Sequence, residues 1–362
     1  MHPRHLFVVL VVAFVSCARA ADLPPLVHEA VFNVPIQKVW EVFTTSEGFK
    51  KFGVALADVD FRLGGKIRSR YATDGELGDA ATIEQTILAY EPMRMFAYRC
   101  TKTPEGFPFP EAMKHCWNIA YFDDLGGGRT RLTLKGFGYT DKPESVKMRE
   151  FFDAGNAWSM DKLHATLEGA PPPSRKAHEA AKTGDAAPGG HIVPPPIVLS
   201  MQEGESPIVV EALVNEPLEA AWTRWTTTAG LATFFGEKQN FELRPGGPFE
   251  ILFSMEAPEG QRGSEGCSVL SYETQRMLSF SWNAPPKFPA QRSERTWVVV
   301  SFSAEGAGMT RVRLVHQGWV EHIAAVPAEA DNWRQVRTYF TAAWPNVLAW
   351  HQEAVAKRQA VE

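Results

Sequence analysis

This sequence has no concentrated positive charge, no metal-ligand spacing and little cysteine, and each shortage removes a class of function. The formal net charge is −5 and no Lys/Arg block stands out, so nucleic acid is not an expected partner. Ten histidines give neither H-x-x-x-H nor H-E-x-x-H spacing, and no two cysteines fall as C-x-x-C. No metal site is therefore expected, and no cofactor. No Ser-His-Asp or Cys-His set can be read from residue order, because triads are recognised by geometry. What remains is ordinary for a soluble globular protein: 44% apolar and 22% charged residues.

The first twenty residues, "MHPRHLFVVLVVAFVSCARA", read as a signal peptide. They combine a basic start at Arg4, an apolar run from Leu6 to Val15 and the small-x-small ending Ala18-Arg19-Ala20. That run spans only ~15 Å as a helix, half a hydrocarbon core, so no transmembrane segment is expected in the mature chain. The expected location is exported, periplasmic or secreted. In a rival reading "FVSC" is a loose lipobox and Cys17 carries a lipid anchor, although Phe14 stands where Leu is usual. Cleavage leaves Cys100, Cys116 and Cys267, and an odd count leaves at least one thiol unpaired within the chain.

Laid on itself with a shift of 182, the chain repeats. "HEAVFNVPIQKVWEVFTTSEGFKKF" (28–52) meets "VEALVNEPLEAAWTRWTTTAGLATF" (210–234), and "DVDFRLGG" (58–65) meets "NFELRPGG" (240–247). "ILAYEPMRM" (87–95) meets "VLSYETQRM" (269–277) at the same shift. At a shift of 180, "WNIAYFDDLGGGRTRLTLKGFG" (117–138) meets "WVVVSFSAEGAGMTRVRLVHQG" (297–318). A period this long makes two domains, 28–169 and 208–356, rather than a solenoid. The Pro/Ala-rich stretch 170–200 between them offers no apolar face and reads as an exposed linker.

Each copy runs from an alternating strand into a short amphipathic helix, then through strands broken by turn signals to a long closing helix. This is an α+β plan. The "VP-x-x-x-VW", "F-R-L-GG", "Y-E-P-x-R-M", "GGG-R-T-R-L-T-L" and "G-N-A-W-x-x-x-x-L" phrases resemble the START-like (SRPBCC, Bet v 1-like) superfamily. Within it they look most like the activator of Hsp90 ATPase C-terminal domain family. The resemblance implies two tandem helix-grip domains, each a curved antiparallel sheet wrapped around a long C-terminal helix, with an apolar cavity often left between them. That superfamily includes lipid carriers, cyclases, hydratases and co-chaperone modules, so the resemblance specifies fold rather than function. Hsp90 and ATP are cytosolic, so beside an export signal the family name marks ancestry.

Residues two apart on a strand share a face, and the second copy's inner face is set by Phe249, Ile251, Phe253; Leu278, Phe280, Trp282; Val298, Val300, Phe302; and Val312, Leu314. The first copy carries Ser69, Tyr71, Tyr98, Cys100 and Asn118 among the matching positions, and Gln85 faces the position of Cys267. One explanation is a polar-lined cavity in the first domain that binds a small apolar or amphipathic molecule, with Trp158 on the closing helix. The other is that these groups face solvent, with Trp117, Ile119 and Tyr121 as the true inner row. A cyclase- or hydratase-like enzyme using Tyr71, Tyr98 and Asn118 on a carbonyl substrate is the alternative function. A protein-binding module, presenting aromatic surface such as "EGFPFPEAM" (105–113), is a third and leaves room for a protein partner.

Several residues carry plainer readings. Trp158 and Trp344 match in the closing helices and suit core anchors. His115 and His164 read as solvated, Glu84 as outward-facing, and His316 and His322 have no carboxylate fixed by spacing. Cys100 and Cys116 flank one hairpin connection and point inward together, so a disulfide between them competes with two reduced thiols.

Overall fold

The computed structural model describes residues 20–169, 197–200, 205–306 and 308–360. Residues 1–19, read from sequence as a signal peptide and including Cys17, and residues 170–196 of the expected linker lie outside the described residues. The first copy opens with β1 (Leu26–Phe32), turns through α1 (Ile36–Thr44) and α2 (Ser46–Phe49), and continues as β2 (Leu56–Val59), β3 (Lys66–Arg70), β4 (Ile83–Glu91) and β5 (Met95–Lys102). A short α3 (Pro110–Met113) precedes the hairpin β6 (Trp117–Gly126) and β7 (Arg129–Phe137), and α4 (Pro143–Glu168) closes the copy. Its strands form one antiparallel sheet in the order β1-β7-β6-β5-β4-β3-β2.

The second copy is preceded by β8 (Ile197–Ser200) and runs β9 (Ile208–Val214), α5 (Leu218–Thr226), α6 (Thr228–Leu231), β10 (Lys238–Phe241), β11 (Phe249–Leu252), β12 (Val269–Glu273) and β13 (Met277–Trp282). It ends with α7 (Pro289–Ser293), β14 (Thr296–Ala304), β15 (Thr310–Gln317), α8 (Trp319–Ala325) and α9 (Ala330–Gln359). Its sheet runs β12-β13-β14-β15-β9-β8, and a bridge between Pro248 and Ser268 joins the β10-β11 hairpin to it. Residues 197–200, assigned to the linker by composition, pair with β9 from Ile197↔Glu211 to Ser200↔Val209. The β-branched Ile197-Val198 start favours a strand over the extended linker that the preceding prolines imply.

The repeated phrases are local devices. Gly64 and Gly246 take φ of +71° and +80°, and a Cβ on Gly65 or Gly247 would collide with the carbonyl oxygen of Asp60 or Glu242. The glycine pair hydrogen-bonds to the next long strand, Gly64 N to Ile87 O at 2.9 Å and Gly246 N to Val269 O at 2.7 Å. Asn33 and Asn215 pin the far ends of the closing helices to the first strand. Asn33 N donates to Glu168 Oε1 at 2.6 Å, and Gln359 Nε2 donates to Asn215 O at 2.8 Å.

Both sheets grip their helix with the inner rows expected from alternation. Phe96 and Phe122 meet Phe43 of α1, and Leu278, Phe280, Val298, Val300, Val312 and Leu314 are fully buried in the second core. The rival row is not exposed either. Trp117, Ile119 and Tyr121 on the outer face of the first sheet are buried against the outer face of the second, beside Met277, Trp297 and Val299. Trp297 Nε1 donates to Tyr90 O at 2.8 Å, and Trp117 Nε1 to Tyr272 O at 3.1 Å. The Arg276 guanidinium lies 3.6 Å from the centre of the Tyr121 ring. Ion pairs rim the contact: Lys135 with Glu273 at 2.6 Å and Arg313 with Glu91 at 2.8 Å. The ambiguity of the "WNIAYFD" strand thus has a physical answer: β6 is buried on both faces.

This interface ties the two domains together through their outer sheet faces. Residues 22–170 and 200–362 expressed alone would each expose an apolar sheet face, and should self-associate or unfold at lower denaturant than the whole chain. Trp297→Ala in the full chain should cost about 3–5 kcal/mol by urea denaturation. Halves that unfold cooperatively at the midpoint of the parent would reject the back-to-back arrangement.

Candidate ligand-binding site

Register brings most of the expected site residues together. Gln85 pairs with Cys100, Ile87 with Tyr98, and Tyr98 with Asn118, so Gln85, Cys100, Tyr98 and Asn118 are neighbours on the inner face of β4, β5 and β6. All four are half-buried, and Ser69 is buried on adjacent β3. Gln85 Oε1 is buried with no hydrogen-bond partner among the described residues. Tyr98 stacks on Phe96 at 5.2 Å, and burial pushes its hydroxyl pKa up, so it stays protonated as a donor. Tyr71 falls outside this group: it lies just past the end of β3 and is 61% exposed. Its ring stands 6.4 Å from that of Trp158, itself 43% exposed. Trp158 is thus an exposed residue rather than a core anchor, whereas its match Trp344 is buried.

The helix above this row is less deeply buried than its counterpart. α4 buries Ser145 and Met148 near its start and Met160, Leu163 and His164 near its end, but no residue from 149 to 159. α9 buries a residue on each turn from Trp333 to Val355. Three matched positions explain the difference. Phe235, Trp282 and His316 of the second copy correspond to Gly53, Cys100 and Gly136 of the first. The Trp158 ring lies over Gly53, where a Cβ would collide with it. Opposite Asn118, a Cβ on Gly136 would come within 3.2 Å of Asn118 Oδ1. Gly53 and Gly136 were missed on sequence, although the shifts that aligned the copies contain them.

In the second domain, His316 fills the corresponding place as a neutral structural group. Trp344 Nε1 donates to its Nδ1 at 2.8 Å, and Nε2 donates to Thr296 Oγ1 at 2.7 Å, which donates on to Trp282 O. Burial, then the nearby Arg337, holds its pKa well below the usual imidazole range. A second buried set also escaped the sequence reading: Trp225 Nε1 donates to His351 Nδ1 at 3.2 Å, and His351 Nε2 to Glu216 Oε1 at 2.6 Å. Arg224 forks onto Glu216 at 3.0 and 2.8 Å. Burial opposes ionisation of Glu216, yet its bonds from His351 and Arg224 hold its pKa at about 2. Glu216 and Arg224 replace Val34 and Val42 of the first copy, a polar exchange in the opposite direction.

The second domain is not closed throughout. A cleft of about 500 Å³ opens between α9 and the ends of β11 and β13, lined by Phe235, Phe253, Trp282, Trp344 and Trp350 with Asn283, Arg262 and Arg292. Among the described residues, no group of three or more His, Cys, Asp or Glu is placed to hold a metal ion, and no helix is long and apolar enough to cross a membrane.

The expectations for His115 and Glu84 hold, and others need correction. Cys100 and Cys116 are both free thiols. The β5–β6 ladder ends at Tyr98↔Asn118, and beyond it each sulfur turns to a local carbonyl, Cys100 to Lys102 O at 3.3 Å and Cys116 to Ala112 O at 3.6 Å. His164 is buried and stacked on Phe32 at 4.4 Å, not solvated. His322 Nε2 lies 2.9 Å from Arg295 O and the ring stacks on Trp333, while His115 is exposed. Glu84 faces outward, 3.8 Å from Arg68. The "EGFPFPEAM" loop lays Phe107 and Phe109 against Phe151 of α4, at 6.1 and 6.0 Å.

With this geometry in hand, comparison with known proteins is informative about ancestry. The family model for "Activator of Hsp90 ATPase homolog 1-like protein" matches residues 33–168 and again 215–343. The chain belongs to this family, as a tandem pair. No curated protein matches it. Among solved structures it is similar to protein MLL2253 from Mesorhizobium loti, at 17% identity over 41% of this chain and 98% of that one, with a TM-score of 0.33. The Aha1 dimer from Colwellia psychrerythraea is 12% identical over 40% and 97%, also at 0.33. The di-domain ARO/CYC BexL of the BE-7585A biosynthetic pathway is 10% identical over 92% and 99%, again at 0.33. At these values the likenesses carry no argument about this family member's ligand.

Two measurements test the site chemistry. Burial pushes the Cys100 thiol up to about 11 and Cys116 to about 12, so both should alkylate slowly at pH 8 and be recovered unlinked from protein purified without reductant. A linked peptide pair would overturn the free-thiol assignment. For His316 and His351, burial lowers the folded pKa below the ordinary 6.5, so the unfolded chain binds more protons below that pH. The stability they confer is complete above pH 6.5 and is lost as pH falls below it, by up to ~1.4 kcal/mol per pH unit per histidine. Urea unfolding from pH 7.5 to 5.5 should show this slope, and His316→Gln should remove part of it; a flat profile would contradict neutral buried imidazoles.

Proposed function

We propose that this is an exported binding protein for a small amphipathic molecule, held in the first domain between α4 and the inner face of β4, β5 and β6. The observation that carries the reading is the exchange of Phe235, Trp282 and His316 for the smaller Gly53, Cys100 and Gly136, facing a helix that has no fully buried residue between 149 and 159. The row facing that stretch of helix is chemically specific. Gln85, Tyr98 and Asn118 offer donors and acceptors, and an apolar body with one or two polar groups would satisfy them while resting on Phe96 and Ile87. The basic, apolar, small-x-small leader supports export. A cyclase- or hydratase-like use of the same space is favoured by one feature: Tyr98, kept protonated beside Asn118, suits donation to a carbonyl oxygen.

Native mass spectrometry of gently purified protein should show a co-purified small molecule. Ser69→Ile with Asn118→Val imports the second copy's residues, and should weaken binding of the neutral probe N-phenyl-1-naphthylamine to this domain about tenfold or more. The unfolding midpoint should hold or rise, since apolar packing often matches a polar network in stability. Unchanged affinity would reject the first-domain site; turnover of an aromatic ketone or epoxide by an otherwise empty protein would favour the enzyme.

A further inference from the structure

We infer that the cleft of the second domain binds a planar, apolar anion, an aromatic carboxylate or sulfonate, with Arg262 as its anchor. The inference rests on the reading that the space between helix and sheet holds small molecules in this chain, and it concerns a second space with different chemistry. The walls favour a flat body. Phe235 and Trp282 stack with ring centres 5.8 Å apart and planes within 17°, and Trp344 meets Trp282 at 5.2 Å. The volume of about 500 Å³ suits a ligand of two or three rings.

The charge of the cleft sets the other half of the ligand. No Asp or Glu lines it, while Arg262 and Arg292 do, in a chain whose net charge is −5. The two arginines differ in what they have left to offer. Arg292 is committed to the wall: it donates to Gly260 O at 2.8 Å, Ala284 O at 2.6 Å and Gly263 O at 2.5 Å, and pairs with Glu265 at 3.2 Å. Arg262 uses only Nε, on Ala257 O at 2.9 Å, and its terminal nitrogens have no partner among the described residues. Its planar fork matches a carboxylate or sulfonate. Lys287, 5.6 Å from the centre of the Tyr339 ring at the opening, adds positive charge on the way in. A neutral ligand would leave this guanidinium unused; an anion would meet it against low-dielectric aromatic walls, where the attraction is strongest.

The test uses the full chain and two probes sharing one aromatic skeleton: 8-anilinonaphthalene-1-sulfonate and neutral N-phenyl-1-naphthylamine. Fluorescence titration should show saturable binding of the sulfonate, weakened about tenfold or more by Arg262→Gln and largely restored by Arg262→Lys. The neutral probe should be indifferent to both changes. In the parent protein, added salt should weaken the sulfonate and leave the neutral probe unaffected, a readout independent of any variant's folding. If Arg262→Gln leaves the ratio of the two affinities unchanged, or salt has no effect on the sulfonate, the anion assignment is wrong while the cleft reading stands. If neither probe binds saturably, or sulfonate binding survives the cleft-filling Ala343→Phe, the cleft is not a ligand space and both readings fall.

Discussion

The burial of the two outer sheet faces against each other is the constraint on which the rest of this molecule depends. A sheet that grips a helix on one side still has to dispose of its other side, and here each copy buries the centre of that side against the other. Trp297 and Trp117 cross the contact in opposite directions, each fully backed by apolar neighbours and each satisfying its indole N–H on a carbonyl of the other domain. Tyr90 gathers several of these ties: its carbonyl accepts from Trp297 and Gln317, and its hydroxyl donates to Glu321 at 2.5 Å. The "EPMR" turn that follows it is therefore part of an interface as well as a hairpin connection.

Once the outer faces are committed, the inner faces are free to diverge, and they have done so by a few substitutions of large consequence. A buried imidazole in place of a glycine, and a tryptophan in place of a cysteine, let α9 bury a residue on each turn, while α4 has fully buried residues only near its two ends. The second domain stays open at a corner where aromatic rings and arginines meet. The two inner faces therefore differ in kind: the first carries neutral hydrogen-bonding groups at Gln85, Tyr98 and Asn118, the second stacked rings beside positive charge.

Histidine illustrates how burial changes a residue's meaning. His316 and His351 both accept an indole N–H on Nδ1, which fixes the proton on Nε2 and the ring as neutral. Each donates onward to an oxygen, so the imidazole works as a rigid two-ended connector between tryptophan and the sheet. Glu216 can remain charged in the same interior because Arg224 and His351 supply its hydrogen bonds.

The duplication, the α+β plan, the inner rows of both sheets and the turn glycines were legible because they follow from strand alternation and from steric demands repeated at a constant shift. Tertiary structure alone decided the rest. Trp117, Ile119 and Tyr121 look like a competing inner row in any strand-by-strand reading, since a pattern records that a side chain is buried and not against what. Trp158 and Trp344 are matched in sequence, yet one is exposed and the other lies in a core, where the residue beneath is Gly53 in one copy and Phe235 in the other. Cys100 and Cys116 follow the register but miss the bridge, because the ladder stops two residues short and each sulfur finds a nearer carbonyl. Alternation is local chemistry and survives in one dimension. Which face meets which partner depends on packing between segments far apart in the chain, and that information exists only in the folded molecule.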